Sequence, residues 1–432
     1  MAQLPDCIEI KPVDGTIDVT IQPPGSKSIT NRALLCAALA QGQSKLTGVL
    51  DSDDTRVMIG CLNELGIEVD HDSTTCSAEV TGCNGHFPNT KASLYVENSG
   101  TTIRFVSAAT AIHGGQFRLH GVERMHQRPI GPLVEALNGL GLYVKASSEN
   151  GCPPVEIKNE RCCRNLASIS GKVSSQYLSG LMMAAPLIEN GLTINLLDGL
   201  VSQPYVRMTQ EVMRSFGVDS ELDLETNPIR FVSAPGQKYI HAQYAIEPDA
   251  SAASYFWAAA SICGGTATVK GLNKQALQGD ICFVECLRKM GSHIQYGEDF
   301  ISVSGKAKRG IDVDMSDISD TVQTLSAVAL FVDGETTIRG VAHNRVKETD
   351  RIGDLATELR RLGATVQEHH DGLTITPGNL RAAQIETYQD HRMAMSLSLV
   401  GLKQPGIEIL NPACTAKTYP RFFEDLQKLY ES

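Results

Sequence analysis

No apolar run in this chain is long enough to span a membrane. Stretches such as 178–188 and 325–332 stop well short of the ~20 residues required, which excludes a helical membrane protein. The first residues, Met-Ala-Gln-Leu-Pro-Asp, lack a basic region followed by an apolar core, so no secretory signal is read and the expected compartment is the cytoplasm. Basic residues are the minority, 38 Lys and Arg against 49 Asp and Glu, for a formal net charge of −11. That balance argues against nucleic acid or an anionic membrane surface as the general partner. An anion site here must be a local cluster of cations. Cysteine occurs twelve times but never as C-x-x-C, and no His stands at zinc-like spacing, so the thiols read as free and mostly buried, with no metal expected. The adjacent pair Cys162 and Cys163 stands apart from that reading. What is present, 42% apolar residues with 38 Gly and 18 Pro over 432 positions, is the composition of a globular protein too long for one core.

A period organises the chain. An apolar residue followed by Gly closes an amphipathic stretch at Leu65-Gly66, Leu140-Gly141, Phe216-Gly217, Met290-Gly291 and Leu362-Gly363. The interval is about 75 residues each time, with Gly where a helix C-terminus favours it. Short alternating runs follow, such as 67–70, 142–145 and 364–367, and read as strands. In the same frame a polar cluster opens an Ala/Leu/Ser-rich helix at 26–40, 98–112, 174–187, 249–261, 320–331 and 390–401. These openings supply Ser, Asn or Asp as N-caps. Six units of about 72 residues result, each with one helix apolar nearly all round, which should be buried, and one amphipathic helix outside. Units this small are expected to assemble three to a domain. If the six helix N-termini converge, they create a region that attracts anions.

Several cations sit where a helix dipole opposes them. Lys27, in Pro-Gly-Ser-Lys-Ser, and Arg392, in Asp-His-Arg-Met, both lie in the first turn of a helix. That placement costs a few tenths of a kcal/mol unless an anion is bound there. The Lys27 segment lacks the spacing of a Walker P-loop. Asn98 to Arg104 is small and polar where a backbone could approach a ligand. Ser174, Ser175, Gln176 and Tyr177 offer more polar groups than a cap needs. Lys347, Glu348, Thr349, Asp350 and Arg351 precede an amphipathic helix over 352–362. Taken alone, this last segment reads as a solvated charge run, and Arg128 and Lys417 as isolated cations.

The strings PGSKSITNRALLCAALA, NSGTTIRF, QRPIGPLVEALNGLG, VSSQYLSGLMMAAPL, LVSQPYVRMT, PDASAASYF, RVKETDRI, DHRMAMSLSLVGL and CTAKTYP lie in order from residue 24 to 420. Together they resemble the 5-enolpyruvylshikimate-3-phosphate synthase family over essentially the whole chain. The resemblance implies an α/β fold of two pseudo-threefold domains, each of three βαβαββ units with buried parallel helices. It places one domain at 25–245 and the other at 1–24 plus 246–432, with the site in the cleft between them. It implies transfer of the enolpyruvyl group of phosphoenolpyruvate to the 5-hydroxyl of shikimate 3-phosphate without metal or organic cofactor, by a monomer with no nucleic-acid or membrane partner.

By the same resemblance, Lys27, Asn98, Gly100, Thr101, Arg128, Gln176, Arg351, Arg392 and Lys417 surround phosphoenolpyruvate. Lys27, Ser28, Arg32, Ser174, Ser175, Gln176, Ser202, Tyr205, Asp320, His343 and Lys347 hold shikimate 3-phosphate. Lys27, Asp320 and Glu348 are the catalytic candidates, with the assignment of each proton left open. His343 stands where many members have Asn, and Thr102 and Phe105 where one branch has Ala and Pro. Gly100 matches the branch sensitive to glyphosate, which would compete with phosphoenolpyruvate. The enolpyruvyl transferases acting on UDP-N-acetylglucosamine carry a reactive Cys that the corresponding segment, about 118–128, lacks. A six-unit clamp on DNA would need a basic inner surface, which the net charge and the apolar helices disfavour.

Overall fold

The computed structural model describes residues 4–148 and 150–431. The chain divides into two compact units: unit 1 is Met1–Pro24 with Glu247–Ser432, and unit 2 is Gly25–Ile246. Unit 2 holds helices α1 (Lys27–Leu39), α2 (Asp53–Glu64), α3 (Gly100–His113), α4 (Gly131–Gly139), α5 (Ser175–Ala184) and α6 (Gln203–Ser215). Unit 1 holds α7 (Ala250–Cys263), α8 (Phe283–Met290), α9 (Val322–Ala329), α10 (Gly353–Arg361), α11 (His391–Gly401) and α12 (Phe422–Gln427).

The even-numbered helices up to α10 are the amphipathic ones, and each gives way at its C-terminus to one of the five predicted glycines. Those glycines have φ between 79° and 118°, a region that a side chain enters only with strain. The odd-numbered helices are the apolar ones. Every residue of α7 and α11 is buried, as is α3 from Gly100 to Ile112, because their apolar residues leave no face for water. In unit 1 the three pack through a chain of hydroxyls, Ser254 to Thr324 at 3.1 Å and Thr324 to Ser396 at 3.2 Å. The helix starts also lie together, since Arg392 Nη2 donates to Ser251 Oγ at 3.4 Å and to Asp320 Oδ2 at 2.7 Å, so the helices run in the same direction. Burial of the apolar surface drives this packing, at about 1.5–3 kcal/mol per large side chain. Inside α7, Trp257 Nε1 donates to Ile301 O at 3.1 Å.

The sheets repeat with the helices. In the second repeat Lys91–Tyr95 lies parallel to Gly115–His120, which pairs antiparallel with Val155–Asn159, itself antiparallel to Val144–Ala146. The same order joins Leu166–Gly171, Leu192–Leu200, Arg230–Ser233 and Ser220–Asp223. It recurs in Asp312–Asp314, Thr336–Arg339, Gly372–Thr376 and Thr365–His369. Two sheets have exchanged a member. Ile17–Ile21, just ahead of α1 in sequence, pairs with Gly265–Lys270 in unit 1, while Gln243–Ala245, just ahead of α7, pairs with Gln41–Thr47 in unit 2. The sixth sheet has three strands, Ala383–Ile385, Ile407–Leu410 and Cys7–Ile10.

Three helices differ from expectation, two at the start and one at the end. The helix predicted from Asn98 begins at Gly100, because Ser99 takes the capping role and accepts from Thr102 N at 3.2 Å. The helix expected over 174–187 is α-helical only to Ala184, where Pro186 imposes a 3₁₀ turn. Asp320 does not cap α9: it lies in a 3₁₀ turn, Ser319–Thr321, and its carboxylate is engaged elsewhere. Asp249 and Asp390 do cap, accepting from Ala252 N and Arg392 N at 2.9 Å.

Candidate active site

In unit 2 the candidate residues gather at the N-terminal ends of α1, α3 and α5. Gly25 brings the chain to α1 through a gap only glycine fits, since a Cβ there would lie 1.7 Å from Gly48 O. Ser26 caps α1 and leaves Lys27 and Ser28 half-buried in its first turn. Ser174 caps α5, accepting from Gln176 N at 3.2 Å. Gln176 then bridges two helices: its Nε2 donates to Thr101 Oγ1 at 3.2 Å, and its Oε1 accepts from Arg104 Nη1 at 2.5 Å. Arg104 also donates to Pro129 O at 3.4 Å and lies over the Tyr177 ring, 5.2 Å from its centroid. Tyr177 Oη donates to the same carbonyl at 2.6 Å.

This network fixes the chain beside Arg128. Arg128 Nη1 donates to Asn98 O at 2.8 Å and to Asn98 Oδ1 at 3.1 Å. Gly100 makes room for it, since a Cβ on Gly100 would meet Arg128 Nη2 at 2.5 Å. Asn98, Gly100, Thr101, Arg128 and Gln176 are therefore brought together by direct contacts. Ser175 and Ser202 are buried, Ser202 with φ 54° at the start of α6, and Tyr205 follows one turn later.

Arg32 is placed differently, deep in unit 2 and only 1% exposed. Its Nε donates to Thr209 Oγ1 at 2.7 Å, Nη1 to Ser28 O at 2.8 Å, and Nη2 to Ser179 Oγ and Tyr205 O at 3.3 Å each. All of these acceptors are neutral. Burial pulls its pKa down to about 10.

In unit 1 the cations are held by carboxylates. Arg351 is 2% exposed and clamps Asp390 through Nε and Nη2 at 2.7 and 3.1 Å. Its Nη1 donates to Asp320 Oδ1 at 3.2 Å, and Nη2 lies 2.8 Å from Glu348 Oε2. Burial pulls this guanidinium down, but Asp390, Glu348 and Asp320 outweigh it and its pKa is raised. Asp320 is the hub: its Oδ2 accepts from Arg392 Nη2 at 2.7 Å, and Lys347 Nζ lies 3.7 Å from Oδ1. Lys417 Nζ lies 3.9 Å from Glu348 Oε1. His343, on the 3₁₀ turn Ala342–Val346, is 6% exposed. Burial, helped by the Lys347 charge, pushes its imidazole down to about 3, while Asp320 pulls the other way. It is neutral at pH 7.

Asp320, Lys347, Glu348, Arg351, Arg392 and Lys417 thus form one ion-pair cluster, joined by Asp390, which the sequence marked only as a cap. Arg104 is the other residue the reading passed over. Its signal was the one that singled out Lys27 and Arg392: a cation near the start of an otherwise apolar helix. No group of His, Cys, Asp and Glu able to hold a metal ion occurs among the described residues. Cys162 is buried and Cys163 exposed. Both line a cavity of about 340 Å³ at the C-terminal ends of α1 and α5, the opposite end from Lys27 and Gln176. No helix among the described residues is long and apolar enough to cross a membrane.

The profile of the EPSP synthase (3-phosphoshikimate 1-carboxyvinyltransferase) family matches residues 10–426. A 3-phosphoshikimate 1-carboxyvinyltransferase of Cronobacter sakazakii is 45% identical over 433 residues, covering 99% of each chain. One of Trichormus variabilis is 44% identical over 425 residues, covering 98% of this chain and 99% of the relative. The chloroplastic enzyme of Solanum lycopersicum is 45% identical over 445 residues, covering 99% of this chain and 85% of the relative. Among solved structures, an EPSP synthase of Acinetobacter baumannii shares the fold with a TM-score of 0.79 at 23% identity, over 98% of both chains.

Proposed function

Because the chain belongs to the EPSP synthase family, we propose that its two polar clusters hold the two substrates of 3-phosphoshikimate 1-carboxyvinyl transfer. The chain is a transferase of the shikimate pathway, acting on small molecules. The reaction moves the enolpyruvyl group of phosphoenolpyruvate to the 5-hydroxyl of shikimate 3-phosphate and releases phosphate.

The observation that carries the residue assignment is the cluster of cations on Asp320 and Glu348, Arg351 and Arg392 buried and Lys347 and Lys417 half-buried. Arg351, Arg392, Lys347 and Lys417 are oriented by carboxylates before any substrate binds, so little reorganisation is needed when phosphate or carboxylate groups arrive. Arg351, Arg392 and Lys417 serve phosphoenolpyruvate with Lys27, Arg128, Asn98, Gly100, Thr101 and Gln176. Lys347, Asp320 and His343 serve shikimate 3-phosphate with Ser28, Arg32, Ser174, Ser175, Ser202 and Tyr205. The hydroxyl oxygen adds at C2 while C3 gains a proton. C3 then loses a proton as phosphate leaves C2. Asp320 takes the hydroxyl proton, and Glu348 and Lys27 are the groups suited to the proton at C3. The cationic cluster stabilises the charge that develops on the departing phosphate. The working form is a cytoplasmic monomer, and glyphosate competes with phosphoenolpyruvate beside Gly100.

The test is phosphate release from phosphoenolpyruvate with shikimate 3-phosphate and, separately, with UDP-N-acetylglucosamine. Release only with the first is expected, and release only with the second overturns the assignment. Asp320→Asn and Lys27→Met should each lower kcat by about 10²–10⁴-fold while the circular dichroism spectrum is kept. A variant with full turnover removes that residue from the mechanism.

A further inference from the structure

Phe105 takes no part in the chemistry above, yet its ring faces a fully buried cation. The Arg32 guanidinium carbon lies 5.1 Å from the Phe105 ring centroid and 6.0 Å from that of Tyr205. Phe105 is itself completely buried in α3. Among the described residues no carboxylate lies within ion-pair distance of Arg32, whose acceptors are two hydroxyls and two carbonyls. A guanidinium taken out of water without a counter-ion is strongly disfavoured, and the negative face of an aromatic ring offsets part of that cost without supplying a full charge.

We propose that Phe105 is a positioning residue: its π face, with that of Tyr205, is the counter-charge of Arg32, so that the first full negative charge Arg32 meets is an anionic group of shikimate 3-phosphate. The inference rests on Arg32 as a ligand of that substrate. A carboxylate in place of the ring would neutralise Arg32 internally, as Asp390 does Arg351, and the substrate would have to compete with it. An aliphatic residue would leave the cation to its neutral acceptors and the Tyr205 ring. The Phe105 ring does neither: it holds Arg32 in place and leaves its demand for an anion unmet. Burial alone leaves the guanidinium charged at neutral pH, since its pKa is pulled no lower than about 10.

The test replaces Phe105 with phenylalanines of increasing ring fluorination, which nearly keep the shape while draining the negative face. Dissociation of shikimate 3-phosphate is followed by titration calorimetry, kcat by phosphate release, and the thermal midpoint in both the native and the Arg32→Met backgrounds. The Kd is expected to rise step by step as Arg32 loses the contact that holds it in place, about 10-fold by the pentafluorinated ring, with kcat within about twofold; a Kd that falls shows a ring that only competes with the substrate and overturns the proposal. The midpoint should fall along the series only where Arg32 is present. A Kd that stays flat across the series, with or without a falling midpoint, overturns the proposal, because the ring then serves packing alone. A Kd unchanged by Arg32→Met refutes Arg32 as a substrate ligand, and the midpoint series separately shows whether the ring faces the cation as its counter-charge.

Discussion

Arg32 and Arg351 are both fully buried arginines, one in each unit, and burial acts on both in the same direction. Their pKa values nevertheless move apart, Arg32 down to about 10 and Arg351 up. The difference lies in the partners: hydroxyls, carbonyls and aromatic faces around Arg32, and three carboxylates around Arg351. A buried cation can thus be made ready for an anion in two ways. Unit 1 holds Arg351 in a preformed ionic cluster that, on the proposed assignment, a ligand would partly take over, whereas unit 2 holds Arg32 without a competing carboxylate.

That contrast is most sharply tested by deleting each charge. Arg351→Met takes the bidentate clamp from buried Asp390 and leaves Asp320 to Arg392 and Lys347 and Glu348 to Lys417, and should destabilise the fold by about 3–5 kcal/mol. Arg32→Met strands no charge and should cost only about 1–2 kcal/mol of hydrogen bonding. Urea denaturation measures both, and equal losses would erase the distinction. A smaller effect concerns His343, whose imidazole sits at about 3 when folded against 6.5 ordinarily. Between those values the unfolded chain binds the extra proton, so stability rises with pH across the window and is lost as pH falls from 6.5 towards 3. By about pH 5 the loss is on the order of 2 kcal/mol. His343→Asn should remove that portion of the acid sensitivity, and parallel urea curves for the two proteins at pH 7 and pH 5 would show otherwise. The smallest effects come from single methyl groups. Gly100→Ala places a carbon 2.5 Å from Arg128 Nη2, in a site with little slack, and should raise KM for phosphoenolpyruvate about tenfold. Gly353→Ala in unit 1 meets the Asp350 carboxylate at 3.1 Å and Arg345 Nη1 at 3.8 Å, and should change KM by less than about twofold. Steady-state kinetics on the pair decides whether unit 2 is the less forgiving side.

The repeat was legible because it is written in local chemistry: a glycine that must take positive φ, and helices with no polar face to expose. The clash of Lys27 and Arg392 with a helix dipole was legible for the same reason. Asp320 was misread as a cap because Asp before an apolar helix ordinarily is one, and only the tertiary arrangement of Arg351, Lys347 and Arg392 draws it away. Asp390 and Arg351 lie 39 residues apart, and nothing local announces that they clamp each other. Nor does sequence tell which sheet a short strand will join: Ile17–Ile21 and Gln243–Ala245 each end in the sheet of the other's following helix.

That exchange of strands bears on the order in which the protein is made. Unit 2 has all of its strands once residue 246 has emerged from the ribosome, and it can fold while the rest is still being synthesised. Cys7–Ile10 emerges earlier but finds its partner, Ile407–Leu410, only after roughly 400 further residues. This early segment is therefore among the last to be built in, and its strand edge stays unpaired until Ile407–Leu410 is made. Nascent chains stalled once residue 246 has cleared the exit tunnel should already show protease-resistant unit 2, with the segment ahead of Gly25 still open to cleavage.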